Sequence, residues 1–151
     1  MKAIKLLSAT LLLSIFLAGC KSLPTGETYD QLIARKSQPQ AQIYRSPQGR
    51  TLDCVGTTCS GQPMRTYISR DGKKVVVFVY RAQFEFSSDC HVDDYGNGGC
   101  MPAYSKCVVA EERYKFTGNV VSDSTLIAGS GARMPSYSDA CRGYDSVSTD
   151  W

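Results

Sequence analysis

The longest regular feature of the chain is an alternation. In residues 74–86, KVVVFVYRAQFEF, positions Val76, Phe78, Tyr80, Ala82, Phe84 and Phe86 are all apolar. The intervening positions pass from Val75, Val77 and Val79 to Arg81, Gln83 and Glu85. A period of two predicts a β-strand with one buried face, and the doubly apolar first half predicts a central strand or a second packing layer. Residues 65–70 and 73–86 flank Asp71-Gly72, which predicts a hairpin whose two central turn residues take positive φ. Residues 41–45 and 50–54 flank Ser46-Pro47-Gln48-Gly49, with Pro second and Gly fourth as in a type I turn. Residues 105–116 put Val108, Ala110, Tyr114 and Phe116 on one strand face, interrupted by Glu112, although Cys107, Ala110 and Tyr114 also align on a helix; the stretch is read as strand. A weaker hairpin is expected from Val120-Val121 and residues 125–128 around Ser122-Asp123-Ser124. One short helix is predicted at residues 29–36, capped by Thr28, with Tyr29, Leu32 and Ile33 as its apolar patch. A helical turn is expected at residues 137–142. The pattern predicts a mainly β (α+β) fold: a small antiparallel sheet, sandwich or open barrel, with one or two short helices.

The first twenty residues follow a different pattern. MKAIKLLSATLLLSIFLAGC has Lys2 and Lys5, an apolar stretch from about Leu6 to Phe16, and then Leu17, Ala18, Gly19 and Cys20. A basic start, a short apolar stretch and small residues make a secretory signal, and the stretch is short of the roughly 20 residues that a spanning helix needs. Leu17-Ala18-Gly19-Cys20 resembles the lipobox of bacterial lipoproteins. The resemblance implies that residues 1–19 are a signal peptide, removed so that Cys20 becomes the first residue and carries lipid, palmitate included, on thiol and amine. Several acyl chains on one residue anchor stably where a single chain does not. Lys21 stands where the family's inner-membrane retention signal has Asp, which implies the outer membrane, facing the periplasm. Residues 20–28 are then the lipidated cysteine and a tether, whose residues 21–28 reach at most about 28 Å. Residues 29–151 form a single disulfide-rich periplasmic domain.

Composition sharpens this picture. The chain of 151 residues suits one domain, and its five Phe and nine Tyr supply apolar surface that disordered chains lack. Its 17 basic and 14 acidic side chains give +3, but losing Lys2 and Lys5 leaves 15 against 14. A nearly neutral domain lacks the basic field of a nucleic-acid binder. Of seven cysteines, lipidation of Cys20 leaves Cys54, Cys59, Cys90, Cys100, Cys107 and Cys141. An even number in an oxidising compartment reads as a disulfide framework. Many connectivities are open to six cysteines and the sequence alone does not choose; the preferred set pairs neighbours, Cys54 with Cys59, Cys90 with Cys100, and Cys107 with Cys141.

Little in the chain points to catalysis. His91 is the single histidine, and no serine or acid is spaced to complete a triad with it. Asp89, Asp93, Asp94, Glu111 and Glu112 include adjacent pairs, but neighbours on a strand point to opposite faces, so they are read as solvated acids. Asp93-Asp94-Tyr95-Gly96-Asn97-Gly98 is similar to a calcium loop, yet Tyr95 takes its third position and Tyr104 stands where a bidentate Glu is needed. Zinc and redox chemistry lack a Cys-x-x-Cys pair. No catalytic residue, metal or cofactor is assigned.

Recognition remains. Residues 91–105 and 130–151 mix Tyr95, Tyr104, Tyr137, Tyr144 and Trp151 with Ser, Gly and Asn, the composition of many binding loops. Gly129-Ser130-Gly131-Ala132-Arg133 resembles the Ser-Gly loop of the bacterial membrane-bound lysozyme inhibitors, lipid-anchored β proteins in which a Ser and a later Lys enter the lysozyme active site. The resemblance implies Ser130 and Arg142 in those roles, although Met134 stands where that family has Tyr and the Trp-x-Lys-Gly stretch is lacking. Size, export signal and bridges are also similar to those of immunity lipoproteins that neutralise toxins delivered by type VI secretion. The expectation is an outer-membrane-anchored, non-enzymatic lipoprotein that binds a periplasmic protein, as an immunity or inhibitor protein, through Tyr95, Tyr104, Ser130, Arg133, Tyr137, Arg142 and Tyr144. The alternative is a structural or assembly component of an envelope secretion, pilus or conjugation machine.

Overall fold

The computed structural model describes residues 23–131, 133–136 and 138–143. Its helix, α1 (Tyr29–Lys36), starts where local chemistry requires. Thr28 accepts from the Gln31 N–H and the Gln31 side chain accepts from the Thr28 N–H, satisfying two free backbone donors reciprocally. Asp30 in the first turn and Arg35 and Lys36 in the last complement the helix dipole.

Nine strands follow among the described residues: β1 (Ile43–Arg45), β2 (Thr51–Cys54), β3 (Arg65–Ile68), β4 (Lys74–Phe86), β5 (Asp89–Val92), β6 (Gly98–Met101), β7 (Tyr104–Thr117), β8 (Val120–Ser130) and β9 (Met134–Pro135). The main sheet runs β1-β2-β4-β7-β8, with β3 on β4 and β9 on β7, and curls into a half-barrel. Every pairing is antiparallel. The spine is β4 on β7, in register from Val75 opposite Lys115 to Phe86 opposite Tyr104. The stretch that also aligned on a helix is therefore strand, held by neighbours on both sides.

The doubly apolar start of β4 is covered twice. On one face Val76, Phe78 and Tyr80 join Leu32, Leu52, Ala110, Tyr114, Phe116 and Val121 under α1. On the other, Val75, Val77 and Val79 pack with Val55, Cys107, Val109 and Ala140. Each such side chain contributes roughly 1.5–3 kcal/mol by leaving water. Gly61, at φ 78°, lets the segment after β2 press on the end of α1, because a Cβ there would lie 2.5 Å from the Ser37 Cα.

Three hairpins share one turn. In Ser46–Gly49, Ser69–Gly72 and Asp93–Gly96 the glycine N–H donates to the first residue's carbonyl, and each glycine has positive φ. Ser or Asp first and Gly fourth suits a type I turn. At Asp71-Gly72 this corrects the expected turn: the reversal spans Ser69–Gly72, with Gly72 last rather than central. The hairpin expected around Ser122-Asp123-Ser124 is also corrected. Those residues lie inside the continuous β8, and the chain reverses at Gly118-Asn119, between Thr117 and Val120, which pair. Gly118 has φ 61°, and a two-residue Gly-Asn loop matches the twist of its strands where Ser-Asp-Ser does not. Residues 140–143 are turn, not helix, and Tyr137 lies outside the described residues.

The structure holds Cys54–Cys59, Cys90–Cys100 and Cys107–Cys141, the neighbour set. Residues 23–28, read as tether, lie along β8: Gly26 N–H donates to Val121 O, Val121 N–H to Glu27 O, and Ser124 Oγ to Leu23 O.

Candidate functional site

Beyond the core, the far ends of β4 and β7 carry aromatic side chains. Phe86 and Tyr104, opposite each other in register, stack with centroids 4.6 Å apart. Arginines sit on both sides of this stack. The Arg133 guanidinium lies 4.6 Å from the Tyr104 centroid, and that of Arg50 lies 4.6 Å from Phe84 and 5.6 Å from Phe86. Cation–π contacts of this kind are worth about 0.5–1 kcal/mol where exposed, and Arg133 also donates to the Met101 sulfur at 2.7 Å.

Residues 133–136 and 138–143 reach this end through the pairing of β9 with β7 and through the polar positions of β4. Ser105 Oγ donates to both carboxylate oxygens of Glu85 at 2.7 and 2.8 Å, and Ser136 Oγ donates to the same group. Gln83 donates to Ser138 O and accepts from Ala140 N–H. Glu85 and Gln83 thus position β9, and with it Arg133, beside Tyr104. A pocket of about 300 Å³ lies next to the stack, lined by Phe86, Ser87, Ser88, Asp89, Met101 and Tyr104.

The β5–β6 hairpin leaves the sheet at this point as a separate two-stranded unit. Cys90 and Cys100 face each other across it and form its bridge. All eight strand residues are exposed. At the tip the Asp93 carboxylate accepts from Tyr95 N–H, Asn97 N–H and the Asn97 amide, so the Asn97 and Tyr95 donors hold it below the usual carboxylate range. Tyr95 itself is 90% exposed and Val92 63%. Met101, at the base of the hairpin, and Met134, on β9, are also exposed.

Of the residues expected to bind a partner, the structure brings Tyr104 and Arg133 together and puts Tyr95 on the adjacent tip. Ser130 ends β8, exposed and opposite Val108. Arg142 is exposed in the terminal turn, its N–H donating to Asp139 O. Tyr137, Tyr144, Trp151 and Cys20 lie outside the described residues. Phe84, Phe86, Arg50 and Met101 complete the surface and were not anticipated; the run of Phe84 and Phe86 past the last doubly apolar position was the available signal.

The acids of β7 are a correction. Glu111 and Glu112, expected in solvent, are buried on opposite faces of the sheet. Glu111 accepts from Arg65 at 2.8 Å and from Arg113 Nε and Nη2 at 2.9 and 2.7 Å. Glu112 pairs with Lys36, which reaches down from the last turn of α1, and sits 3.3 Å from the Tyr114 hydroxyl. Burial is the main influence on Lys36 and, with Arg35 acting in the same sense, pulls its ammonium below the ordinary lysine range. Burial also pushes the Tyr114 hydroxyl up to about 12. With Lys36 only 3% exposed, this cluster is sealed beneath α1 and fixes the helix on the sheet. Among the described residues, no group of three or more His, Cys, Asp or Glu side chains is placed to hold a metal.

Comparison with protein-family models, with curated proteins and with solved structures finds no match to this chain.

The two ends of the molecule differ in how bridges act. Cys90→Ser with Cys100→Ser is expected to leave global stability within about 1 kcal/mol, because a hairpin that packs little on the core loosens locally and the folded state recovers the chain entropy. Denaturant unfolding should show this, and amide exchange within 89–101 should accelerate by contrast. A fall of several kcal/mol would mean the hairpin belongs to the cooperative core.

Proposed function

We propose that the protein is an outer-membrane-anchored lipoprotein that binds a protein in the periplasm, as an immunity or inhibitor protein against a toxin or hydrolase. The observation that carries this reading is the arginine–aromatic surface, in which exposed Arg50 and Arg133 flank the half-buried stack of Phe86 and Tyr104, set beside a disulfide-closed hairpin with Tyr95 at its tip. Aromatic and arginine anchors dominate binding energy at protein interfaces, and bridging the loop beforehand reduces the entropy lost on docking. Anchoring at Cys20 would hold this surface in the compartment where exported toxins act.

The test is protection. Cells producing the full-length chain should survive periplasmic delivery of the toxin encoded beside its gene, and Cys20→Ser should move the protein out of the membrane fraction and weaken protection. Unchanged sensitivity sinks the immunity reading. In the hydrolase version, purified residues 21–151 should slow lysozyme, and absence of inhibition ends it. Co-purification with a large membrane complex rather than a stoichiometric pair would favour an assembly component.

A further inference from the structure

We infer that the second half of β8 is a strand-addition site, whose outer edge takes up an uncharged, extended segment of a partner protein as the next strand of the main sheet. This rests on the reading of the chain as a protein binder and specifies how that binding is made.

Backbone geometry identifies the edge. Gly131 N–H donates to Cys107 O on β7. In the alternating ladder of an antiparallel pair, Thr125, Ile127 and Gly129 therefore bond to Arg113, Glu111 and Val109. The N–H and C=O groups of Leu126, Ala128 and Ser130 point away from β7, and none of them bonds to another described residue. The first half of the same edge is already filled. Gly26 N–H donates to Val121 O and Val121 N–H to Glu27 O, and Thr28 is bridged antiparallel to Val120. The molecule thus seats an extended segment on β8 by main-chain bonds, with Leu23 of that segment beside Ser124.

Composition leaves the second half unguarded. Edge strands are ordinarily protected by brevity, charge, proline or a bulge. On the opposite side of the sheet β1 and β3 are three and four residues long and carry Arg45 and Arg65. β8 has 11 residues, and its register shift, at Lys115/Phe116 of β7, lies in the filled half. From Ser124 to Gly131 no residue is charged and none is proline. Leu126, Ala128 and Ser130 are exposed.

The same edge selects its occupant. Main-chain donors and acceptors that recur at every second residue are met by an extended backbone. An added strand sets its side chains beside Leu126 and Ala128 on one face and beside Thr125 and Ile127 on the other. A charged side chain there would lose water with no counter-charge in the stretch, so the segment is uncharged. A second copy is obstructed: its β8, antiparallel and centred on Ala128, would carry its Arg133 and Met134 into the lane that residues 23–26 fill. Past Ser130 the lane leads to β9 on β7 and to Arg133 over Tyr104. The added strand is therefore continuous with the arginine–aromatic surface.

Site-specific photocrosslinking in cells tests this. The full-length protein carries p-benzoylphenylalanine at Leu126, at Arg133 or, as a control, at exposed Ile68 on β3. Position 126 should give one adduct with a partner protein, Ile68 none, and the crosslink should map to an uncharged extended segment of that protein. With that protein purified, the amides of Leu126 and Ala128 should exchange fast before it is added and slowly afterwards. Ala128→Pro removes no bond to β7, because the Ala128 N–H points outward, and it should weaken binding by about tenfold or more. Ala128→Lys, which places a guarding charge at an exposed position, should do the same even if the proline variant does not fold. Slow exchange at Leu126 and Ala128 before the partner is added, adducts at 126 with lipid or with a second copy of the chain, or full affinity in Ala128→Lys each overturn the inference. A protein adduct from 133 but none from 126 also overturns it while leaving the protein-binding reading intact; no protein adduct from either position removes both.

Discussion

Glu111→Gln is expected to lower the free energy of unfolding by about 3–5 kcal/mol, the range for breaking a buried ion pair from one side. Gln keeps the volume of the side chain, so packing is not the cause. The carboxylate is fully buried between Arg113, also fully buried, and Arg65. Removing its charge takes the Glu111 counter-charge away from the Arg113 guanidinium in a low-dielectric interior, and Arg cannot escape by losing a proton. Arg65, one-third exposed, can turn toward water and lessens the loss slightly. Glu111→Leu with Arg113→Leu should recover most of the stability, because a well-packed apolar pair avoids both desolvation costs. Urea unfolding of the oxidised protein reads both results. A loss under about 1 kcal/mol in Glu111→Gln would show that water or another acid already compensates Arg113.

Cys107→Ser with Cys141→Ser should be nearly as severe, at about 4 kcal/mol. The bridge closes a sequence separation of 34 residues, and the chain-entropy account gives about this value for such a loop. Cys107 is fully buried beside Val77, Val79 and Val109, so two hydroxyls in its place also meet an apolar layer. Releasing Cys141 weakens an attachment of residues 133–136 and 138–143 that it shares with Glu85, Gln83 and the pairing of β9 with β7, and so loosens Arg133 over Tyr104. Partner binding should therefore fall together with the thermal midpoint, whereas Glu111→Gln should lower the midpoint with little change in binding below it. Unchanged binding in the reduced-bridge variant would separate the arginine–aromatic surface from the bridge that we take to support it.

Much of the fold was legible because its causes are local. The capping pair Thr28 and Gln31 lies three residues apart, and the turn glycines Gly49 and Gly72 act within their own loops. The alternation in residues 74–86 records burial on both sides of one strand. Two of the bridges also follow proximity along the chain, Cys54–Cys59 and the hairpin pair Cys90–Cys100, whereas Cys107–Cys141 joins residues 34 apart. The misplaced reversal at Ser122-Asp123-Ser124 came from weighing polarity above backbone preference: Gly118-Asn119, four residues earlier, carries the conformational freedom that a two-residue loop needs.

The acids of β7 failed for a different reason. Adjacent Glu111 and Glu112 look solvated in any local reading, because nothing beside them in the chain explains burial. Arg113 lies two residues from Glu111, but the other partners come from elsewhere: Arg65 and Lys36 are 46 and 76 residues away. Only a folded sheet with α1 on one face and β3 along its edge supplies those cations. The binding surface was legible in part on the same principle. Tyr104 and Arg133 were identifiable as residue types suited to recognition, whereas Arg50, Phe84 and Phe86 joined them through the pairing of β4 with β7 and the closeness of the first hairpin.

The sequence by itself determined the strand character of the long alternating run, the capped helix and the turns that end at Gly49 and Gly72, since each follows from interactions among near neighbours. Tertiary structure decided which acids are buried, where residues 133–136 and 138–143 lie, and which aromatics meet which arginines. Those outcomes depend on groups distant in the chain that approach one another only when β4, β7 and α1 have packed, and no local pattern records that approach.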